Sequence, residues 1–179
     1  MQRRPAELIE VGDITLRRCG PPDLKVVHRL VEESLEHLRP WMGWAAVEDY
    51  SFDHTTAFIA ECESGWMFGE AFHYLILVDG VAVGVGALGR TVGPGALELG
   101  YWVHPEHTGR GYATEASRAL VRQAFMLEKR VEIWHDAANM ASSSIPRKLG
   151  FRERERRSPP RHPLTSGEVG IDVVWELRN

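Results

Sequence analysis

Apolar residues recur along this chain with helical spacing in some stretches and strand spacing in others. Helical spacing predicts one helix up to Leu38, a second from Ser51 to about Gly65, a long third from about Gly111 to Glu128 and a short fourth within 139–149. Strands are predicted at 14–18, 74–78, 81–88, 96–103, 131–134, 151–156 and 171–177. The predicted order is therefore β-α-α-β-β-β-α-β-α-β-β.

This order defines a fold class. Runs of antiparallel strands mixed with crossover helices indicate an α+β fold (α/β mixed), in which a central mixed, mostly antiparallel sheet of about seven strands is flanked by about four helices. The chain has 179 residues, of which 44% are hydrophobic. We expect residues 1–179 to form a single domain with its own core.

Composition and charge narrow the class of protein further. The net charge of −4 provides no basic footprint, so no nucleic-acid partner is expected. Neither a bilayer-spanning apolar run nor an N-terminal signal segment is present, which predicts a cytoplasmic protein without a membrane partner. Cys19 and Cys62 have no C-x-x-C spacing, which favours reduced thiols.

Three glycines, Gly84, Gly86 and Gly89, spell a G-x-G-x-x-G motif. A dinucleotide-binding fingerprint must follow a strand and open a helix. Here the glycines lie inside a predicted strand, so we reject that interpretation. They indicate a bulge or a close approach of two backbones instead.

His135, Asp136 and Ser142 suggest a hydrolytic triad only superficially, because no G-x-S-x-G turn is present. His104, His107 and His135 also lack the spacing of metal ligands. We therefore expect neither a hydrolase nor a metal site.

The stretch from Glu98 to Glu115 carries the strongest chemical signal. It combines a strand, a loop that contains Gly109 and Gly111, and the start of a long helix. Glycines allow the backbone to approach a ligand closely, and the first N–H groups of the helix point to the same place. The pattern predicts a site for a phosphate-bearing ligand; a plain strand-to-helix turn is the alternative.

A second segment strengthens this prediction. VHPEHTGRGYATEA (103–116) followed by NMASSSIPRKLGF (139–151) resembles the GNAT superfamily of N-acetyltransferases, which use acetyl-CoA. LRPWMGW (38–44), ELGYWV (98–103) and DVVWEL (172–177) resemble more narrowly its ribosomal-protein N-terminal acetyltransferase branch, the Rim-type alanine/serine enzymes.

The resemblance implies a set of cofactor contacts for acetyl-CoA, with no metal. These are Trp102, Val103, Thr108, Gly109, Arg110, Gly111, Tyr112, Ala113, Asn139 and Lys148. The amides of 108–113 are expected to hold the pyrophosphate. Thr108 stands where the family usually has Gln or Arg, and its backbone N–H is expected to serve instead.

The resemblance also implies catalytic roles. Glu98 is expected to act as general base and Ser142 as general acid, while the N–H of Val103 polarises the thioester carbonyl where two strands splay apart. Glu98 as a satisfied strand carboxylate and Ser142 as a helix N-cap are the alternatives. Pro146 leaves open which serine of 142–144 faces the CoA sulfur.

The acceptor is the least determined part. Trp41, Met42 and Trp44 are expected beside the acceptor groove. The alternative is that the two tryptophans only pack the first two helices onto the sheet. The expected acceptor is a primary amine, the N-terminal α-amine of a protein or peptide, ribosomal in the narrower resemblance. A small amine (polyamine, amino acid or aminoglycoside) and a weakly catalytic CoA-binding module are the alternatives. Edges of such sheets often pair, so a homodimer is one expected arrangement.

Overall fold

The fold is described from a computed structural model that covers residues 3–179. Its helices are α1 (Leu24–Leu38), α2 (Phe52–Phe68), α3 (Tyr112–Phe125) and α4 (Met140–Lys148). Its strands are β1 (Leu8–Val11), β2 (Ile14–Arg18), β3 (Ala71–Val78), β4 (Val81–Gly89), β5 (Ala96–Val103), β6 (Arg130–Asp136), β7 (Arg152–Arg157) and β8 (Asp172–Arg178). The predicted α+β class is confirmed.

All eight strands form one sheet in the order β1-β2-β3-β4-β5-β6-β8-β7. Within residues 3–179, β5 and β6 are the one parallel pair, and α3 provides the crossover that a parallel pair requires. The sheet has one strand more than expected, because the prediction missed β1. Its four half-exposed residues are too few to show a clear strand pattern.

The helices cover both faces of the sheet. On one face, Ala116 and Leu120 of α3 pack with Leu97 and Leu99 of β5. On the other, α1 and α2 contribute to a second apolar cluster with β3 and β4. Between residues 3 and 179, every helix is too short or too polar to cross a membrane.

The second helix is longer than predicted. Gly65 was expected to end it, but α2 continues to Phe68 and ends at Gly69, which adopts the left-handed conformation (φ 72°) that suits a helix cap. Gly65 has a packing role instead. A Cβ there would lie 2.7 Å from the carbonyl oxygen of Ala71, so glycine lets the start of β3 approach the helix.

Two of the three strand glycines, Gly84 and Gly86, mark a close approach, whereas a Cβ on Gly89 would make only ordinary contact with Thr91. Gly84 and Gly86 lie in β4, and the pairing of β4 with β3 shifts register beside Gly84. A Cβ on Gly84 would overlap the carbonyl of Trp102, and one on Gly86 would lie 2.8 Å from a methyl of Leu120. Glycine at these positions therefore lets β5 and α3 pack directly against β4.

The strands β5 and β6 separate along their length. They pair at Ala96↔Arg130, Leu97↔Val131 and Glu98↔Glu132. Beyond these pairs, β5 continues along β4 and β6 continues along β8. Residues 99–103 of β5 therefore have one backbone edge that faces an opening in the sheet, as the resemblance implied.

Candidate functional site

Three adjoining cavities surround the opening between β5 and β6. The loop cavity, about 360 Å³, lies between the end of β5, the loop 107–111 and α4. The strand cavity, about 280 Å³, lies between β5, β6 and the loop 158–170. The face cavity, about 480 Å³, lies between α2 and the sheet. Met42 and Tyr101 line all three, so the cavities meet at these two side chains.

The N-terminus of α3 makes the loop cavity suitable for an anion. Gly109 (φ 74°) and Gly111 (φ 84°) adopt left-handed conformations that favour glycine, and they turn the chain into the helix. The N–H of Glu115 donates to the Gly111 carbonyl at 3.0 Å, as the first helical bond. The amides of 112–114 precede that bond, so they and the positive end of the helix dipole suit a phosphate.

Most of the expected cofactor contacts meet in the loop cavity. Its lining includes Trp102, Val103, Thr108, Gly109, Gly111, Tyr112, Ala113, Asn139 and Lys148. Arg110 is exposed and does not line it. The N–H of Thr108, expected to serve a ligand, already donates to the Pro105 carbonyl at 3.3 Å. Lys148 places an ammonium group on the α4 side of the cavity.

The backbone of β5 presents alternate residues to the opening. The N–H of His104 donates to the Val83 carbonyl at 2.8 Å, and antiparallel partners alternate between bonded and non-bonded pairs. The neighbouring Val103 therefore directs its N–H away from β4 and toward the opening. Trp102 directs its backbone groups to β4 and lines the loop and face cavities.

The three serines of α4 differ in their hydrogen bonds. The side chain of Asn139 caps the helix by accepting from the N–H of Ser142 at 3.2 Å, so the alternative of Ser142 as N-cap is wrong. The hydroxyls of Ser143 and Ser144 donate to carbonyls one turn back, each at 2.8 Å. Within residues 3–179, the Ser142 hydroxyl has no such partner, and Ser142 lines both the loop and the strand cavities.

Pro146 creates a link between α4 and β5. The helix starts directly after Asn139 and runs through Pro146. A proline has no N–H, so the carbonyl of Ser142, four residues earlier, loses its helical donor. The hydroxyl of Tyr101 donates to that carbonyl at 3.1 Å instead. Burial raises the pKa of Tyr101, so this hydroxyl keeps its proton.

Glu98 lies in the strand cavity as part of an ion pair. Its carboxylate accepts from both terminal nitrogens of Arg161, one of them at 2.8 Å, and from the hydroxyl of Thr91. The same guanidinium lies 4.2 Å from the ring centroid of Trp134, a cation–π distance. Sequence reasoning missed Arg161, because it comes from an irregular loop 63 residues away from its partner.

His135 and Asp136 line the strand cavity but do not form a triad with Ser142. Nδ1 of His135 bonds to the backbone carbonyl of Asp136 at 2.7 Å, and its Nε2 accepts from the indole N–H of Trp175 at 2.8 Å. Burial lowers the pKa of His135, which favours the neutral ring. Both ring nitrogens therefore have hydrogen-bond partners, and neither is free to bond to Ser142.

The two tryptophans after α1 lie at the cavity openings. Trp41 lines the loop and strand cavities, and Trp44 lines the strand and face cavities. The Trp44 ring lies 6.0 Å from that of Trp102 and is 41% exposed. Trp44 therefore packs against the sheet and still offers surface to a ligand.

Tyr101 is the main residue that sequence reasoning missed. Its signal was the aromatic pair Tyr101-Trp102, whose members must point to opposite faces of a strand. One side chain of the pair must therefore lie on each face of the sheet. Met42 lies between two tryptophans in the loop that was expected beside the acceptor groove.

A loop whose free amides suit an anion lies on one side of the strand opening, and a carboxylate lies on the other. This arrangement suits group transfer from a phosphate-bearing donor. Residues 13–152 match the acetyltransferase (GNAT) domain family, and the chain belongs to that family. The enzyme class predicted from the sequence is thereby confirmed.

Individual relatives agree with this membership. The chain is 28% identical over 143 residues, 78% of each protein, to YdaF of Bacillus subtilis (strain 168), provisionally named a ribosomal N-acetyltransferase. It superposes with a TM-score of 0.87 and 20% identity on RimL, ribosomal L7/L12 α-N-protein acetyltransferase, in complex with coenzyme A, over 96% of this chain and 98% of that one. Microcin C7 self-immunity acetyltransferase MccE, in complex with acetyl-CoA and AMP, gives a TM-score of 0.84 at 17% identity over 94% of both chains.

Proposed function

We propose that this protein transfers an acetyl group from acetyl-CoA to the N-terminal α-amine of a protein or peptide. The observation that carries the proposal is the meeting of the loop and strand cavities at Tyr101 and Met42. A donor bound in one cavity and an acceptor bound in the other would bring their reacting atoms together there. The relatives named as ribosomal acetyltransferases support the choice of acceptor.

The loop cavity is the proposed donor site. The amides at the start of α3 and the ammonium group of Lys148 would bind the phosphates of acetyl-CoA. The Val103 N–H would donate to the thioester carbonyl and stabilise the oxyanion that forms when the amine attacks. The RimL and MccE structures, which contain CoA or acetyl-CoA, support the choice of acetyl-CoA as donor.

The proton balance assigns the remaining roles. An α-ammonium must lose a proton before it attacks, and Glu98 would accept that proton directly or through water. The amine nitrogen forms the new C–N bond to the thioester carbon and gives the oxyanion intermediate. This intermediate collapses with cleavage of the C–S bond, and the departing CoA thiolate takes a proton from Ser142. Ser142 would regain a proton from the former amine nitrogen, which loses its second proton as the amide forms. Ser142 suits this role better than its neighbours, because their hydroxyls are bonded to the helix backbone.

Arg161 adds a condition to this scheme. Its guanidinium donates to both oxygens of the Glu98 carboxylate, and the hydroxyl of Thr91 donates to one of them. These bonds occupy three of the four lone-pair sites of the carboxylate. The remaining site, on Oε1, is where Glu98 would accept the proton of the amine.

Acetyl-CoA binding and acceptor identity are tested separately. Differential scanning fluorimetry with acetyl-CoA, CoA and NAD reports on the donor, and a rise in Tm with the CoA species alone is expected. Thiol release and mass spectrometry with peptides, polyamines, amino acids and aminoglycosides then report on the acceptor. Turnover of the small amines alone would reject the α-amine proposal, and binding without any turnover would indicate a CoA-binding module.

The base is tested by Glu98→Gln, with Glu128→Gln as matched control, because Glu128 also pairs with an arginine but lies outside the cavities. At neutral pH we expect Glu98→Gln to lower kcat about 100-fold or more. The deficit should shrink above about pH 8, where α-amines deprotonate without help. Equal kcat in the two variants across the pH range would show that Glu98 is not the base.

A further inference from the structure

The face cavity is built on a row of small residues across three strands. The sheet register pairs His73 of β3 with Ala87 of β4, and Ala87 with Gly100 of β5. Paired residues project from the same face of a sheet. Two neighbouring positions with a methyl group or no side chain at all therefore leave a depression, with His73 at one end.

The helix α2 and aromatic side chains close this depression into a cavity. Ala57 and Phe58 form the α2 wall, while Tyr50, Trp44 and Trp102 enclose the other sides. The volume of about 480 Å³ is within the usual range for small-ligand sites, about 300 to 1,000 Å³.

Two observations indicate that the cavity is made to receive a group. A Cβ on Gly100 would meet nothing within 4 Å, so the space above this residue is open. At the other end, Nδ1 of His73 is buried and has no hydrogen-bond partner within the described residues, 3–179. Burial lowers the pKa of His73 to about 4, so the ring is neutral at physiological pH.

The cavity adjoins the proposed amine site. Glu98 and Gly100 lie two residues apart on β5, so they project from the same face, about 7 Å apart. Gly100 and Trp44 line the strand cavity as well as the face cavity. A group attached to the carbon beside the amine can therefore enter the face cavity while the amine remains near Glu98.

The charges that line the two cavities differ. Four carboxylates line the strand cavity: Glu98 is paired with Arg161, while Asp136, Asp172 and Glu168 accept from backbone N–H groups and keep their negative charge. The strand cavity therefore suits the ammonium form of an acceptor amine. The face cavity is lined mainly by apolar and aromatic side chains, and its ionisable members besides the tyrosines and His73 are the exposed residues Glu61 and His54.

We infer that the face cavity binds a bulky, uncharged aromatic or branched aliphatic group of the acceptor, next to the amine that is acetylated. This inference rests on the proposed function and makes it more specific. An acceptor that begins with Phe, Tyr or Leu fills the space above Gly100, whereas one that begins with Gly, Ala or Ser leaves it empty. The cavity thereby selects acceptors by the side chain of the first residue.

The test fills the cavity from two opposite walls. Ala87→Leu adds a side chain from the sheet, and Ala57→Leu adds one from α2. Ala60→Leu is the matched control, because Ala60 is an exposed residue of the same helix outside the cavity lining. Each variant is assayed for thiol release with peptides that begin with Phe, Tyr, Leu, Gly, Ala or Ser, and its Tm with acetyl-CoA is measured.

In the unmodified protein we expect kcat/KM to be at least about 10-fold higher for the bulky first residues than for the small ones. Ala87→Leu and Ala57→Leu should lose about 10-fold or more with the bulky acceptors and little with the small ones, while Ala60→Leu should retain the original preference. A preference for Gly, Ala or Ser in the unmodified protein, or equal losses for both acceptor classes in the filled variants, would overturn the inference.

A second acceptor series separates this inference from the proposed function. 2-Phenylethylamine and isoamylamine carry the bulky group without a peptide, and ethylamine lacks it. One outcome is that peptides are not acetylated, the bulky amines are preferred over ethylamine, and the filled variants lose that preference. This outcome would support the inferred role of the face cavity and reject the α-amine of a peptide as acceptor. Peptide turnover that does not depend on the first side chain would support the α-amine proposal and overturn the inferred role of the face cavity.

Discussion

At the residue scale, hydrogen bonding separates one serine from two similar neighbours. Ser142, Ser143 and Ser144 are consecutive, and the sequence alone does not rank them. Two of the hydroxyls donate to the backbone of their own helix, while that of Ser142 lies between the loop and strand cavities. A proton on a hydroxyl that is already donated to a carbonyl is less available to a leaving thiolate.

This difference predicts the outcome of two alanine substitutions. Ser142→Ala should lower kcat about 100-fold, in the usual range for loss of a general acid, and leave the Kd for acetyl-CoA within about 2-fold. Ser144→Ala is the control, because Ser144 also lines the loop cavity. Steady-state kinetics and calorimetric titration measure the two quantities. Equal kcat values in both variants would remove Ser142 from the mechanism.

At the scale of elements, a proline and a tyrosine depend on each other. Pro146 deprives the Ser142 carbonyl of its helical donor, and Tyr101 supplies another from β5. The bond ties α4 to the strand that borders all three cavities. The hydrogen bond that α4 lacks is thus replaced by one between α4 and β5.

A double-mutant cycle tests this dependence. Tyr101→Phe leaves the Ser142 carbonyl without its donor and should lower the free energy of unfolding by about 1 to 3 kcal/mol. Pro146→Ala restores a helical N–H, so Tyr101→Phe should cost less in that background. Urea denaturation of the four proteins gives the coupling, expected to exceed about 0.5 kcal/mol. Strictly additive effects would mean that the tyrosine does not replace the missing donor.

At the scale of the whole molecule, one carboxylate fixes the return of the long loop to the sheet. Asp136, at the end of β6, accepts from the N–H groups of Ala138 and of residues 169–171 at 2.8 to 3.2 Å. Burial acts to raise the pKa of Asp136, but the four donors outweigh it and the pKa lies below its usual value. The carboxylate thus holds together the loop that carries Arg161.

The lowered pKa determines how stability changes with pH. The stabilisation by Asp136 is complete above the unfolded-state pKa of about 3.9 and is lost as the pH falls through the lower folded-state pKa. Asp136→Asn should therefore lower the free energy of unfolding at pH 7 by about 1 to 3 kcal/mol, and the difference should shrink under strongly acidic conditions. Asp49→Asn, on an exposed loop, is the control. A difference that does not depend on pH would contradict this account.

The sequence predicted what depends on local pattern. Apolar periodicity located the four helices and seven of the eight strands, and Gly109 and Gly111 indicated the turn into the N-terminus of α3 where a phosphate site is proposed. It did not reveal the pairing of Glu98 with Arg161, because that contact depends on how a long irregular loop folds back. The face cavity was equally hidden, because Ala87 and Gly100 mean little until the strand register places them side by side.

The opening between β5 and β6 gives the sheet an internal edge in addition to its two outer ones. The outer edge at β7 carries the charged run RERERR, and β1 has only four residues, which are features that discourage strand addition from outside. The edge at 99–103 has neither protection, but β6 and α4 flank it closely. Under the proposed function, a ligand arm with amide groups would bond to this edge as a neighbouring strand does. While bound, it would take up the backbone groups with which another chain could pair.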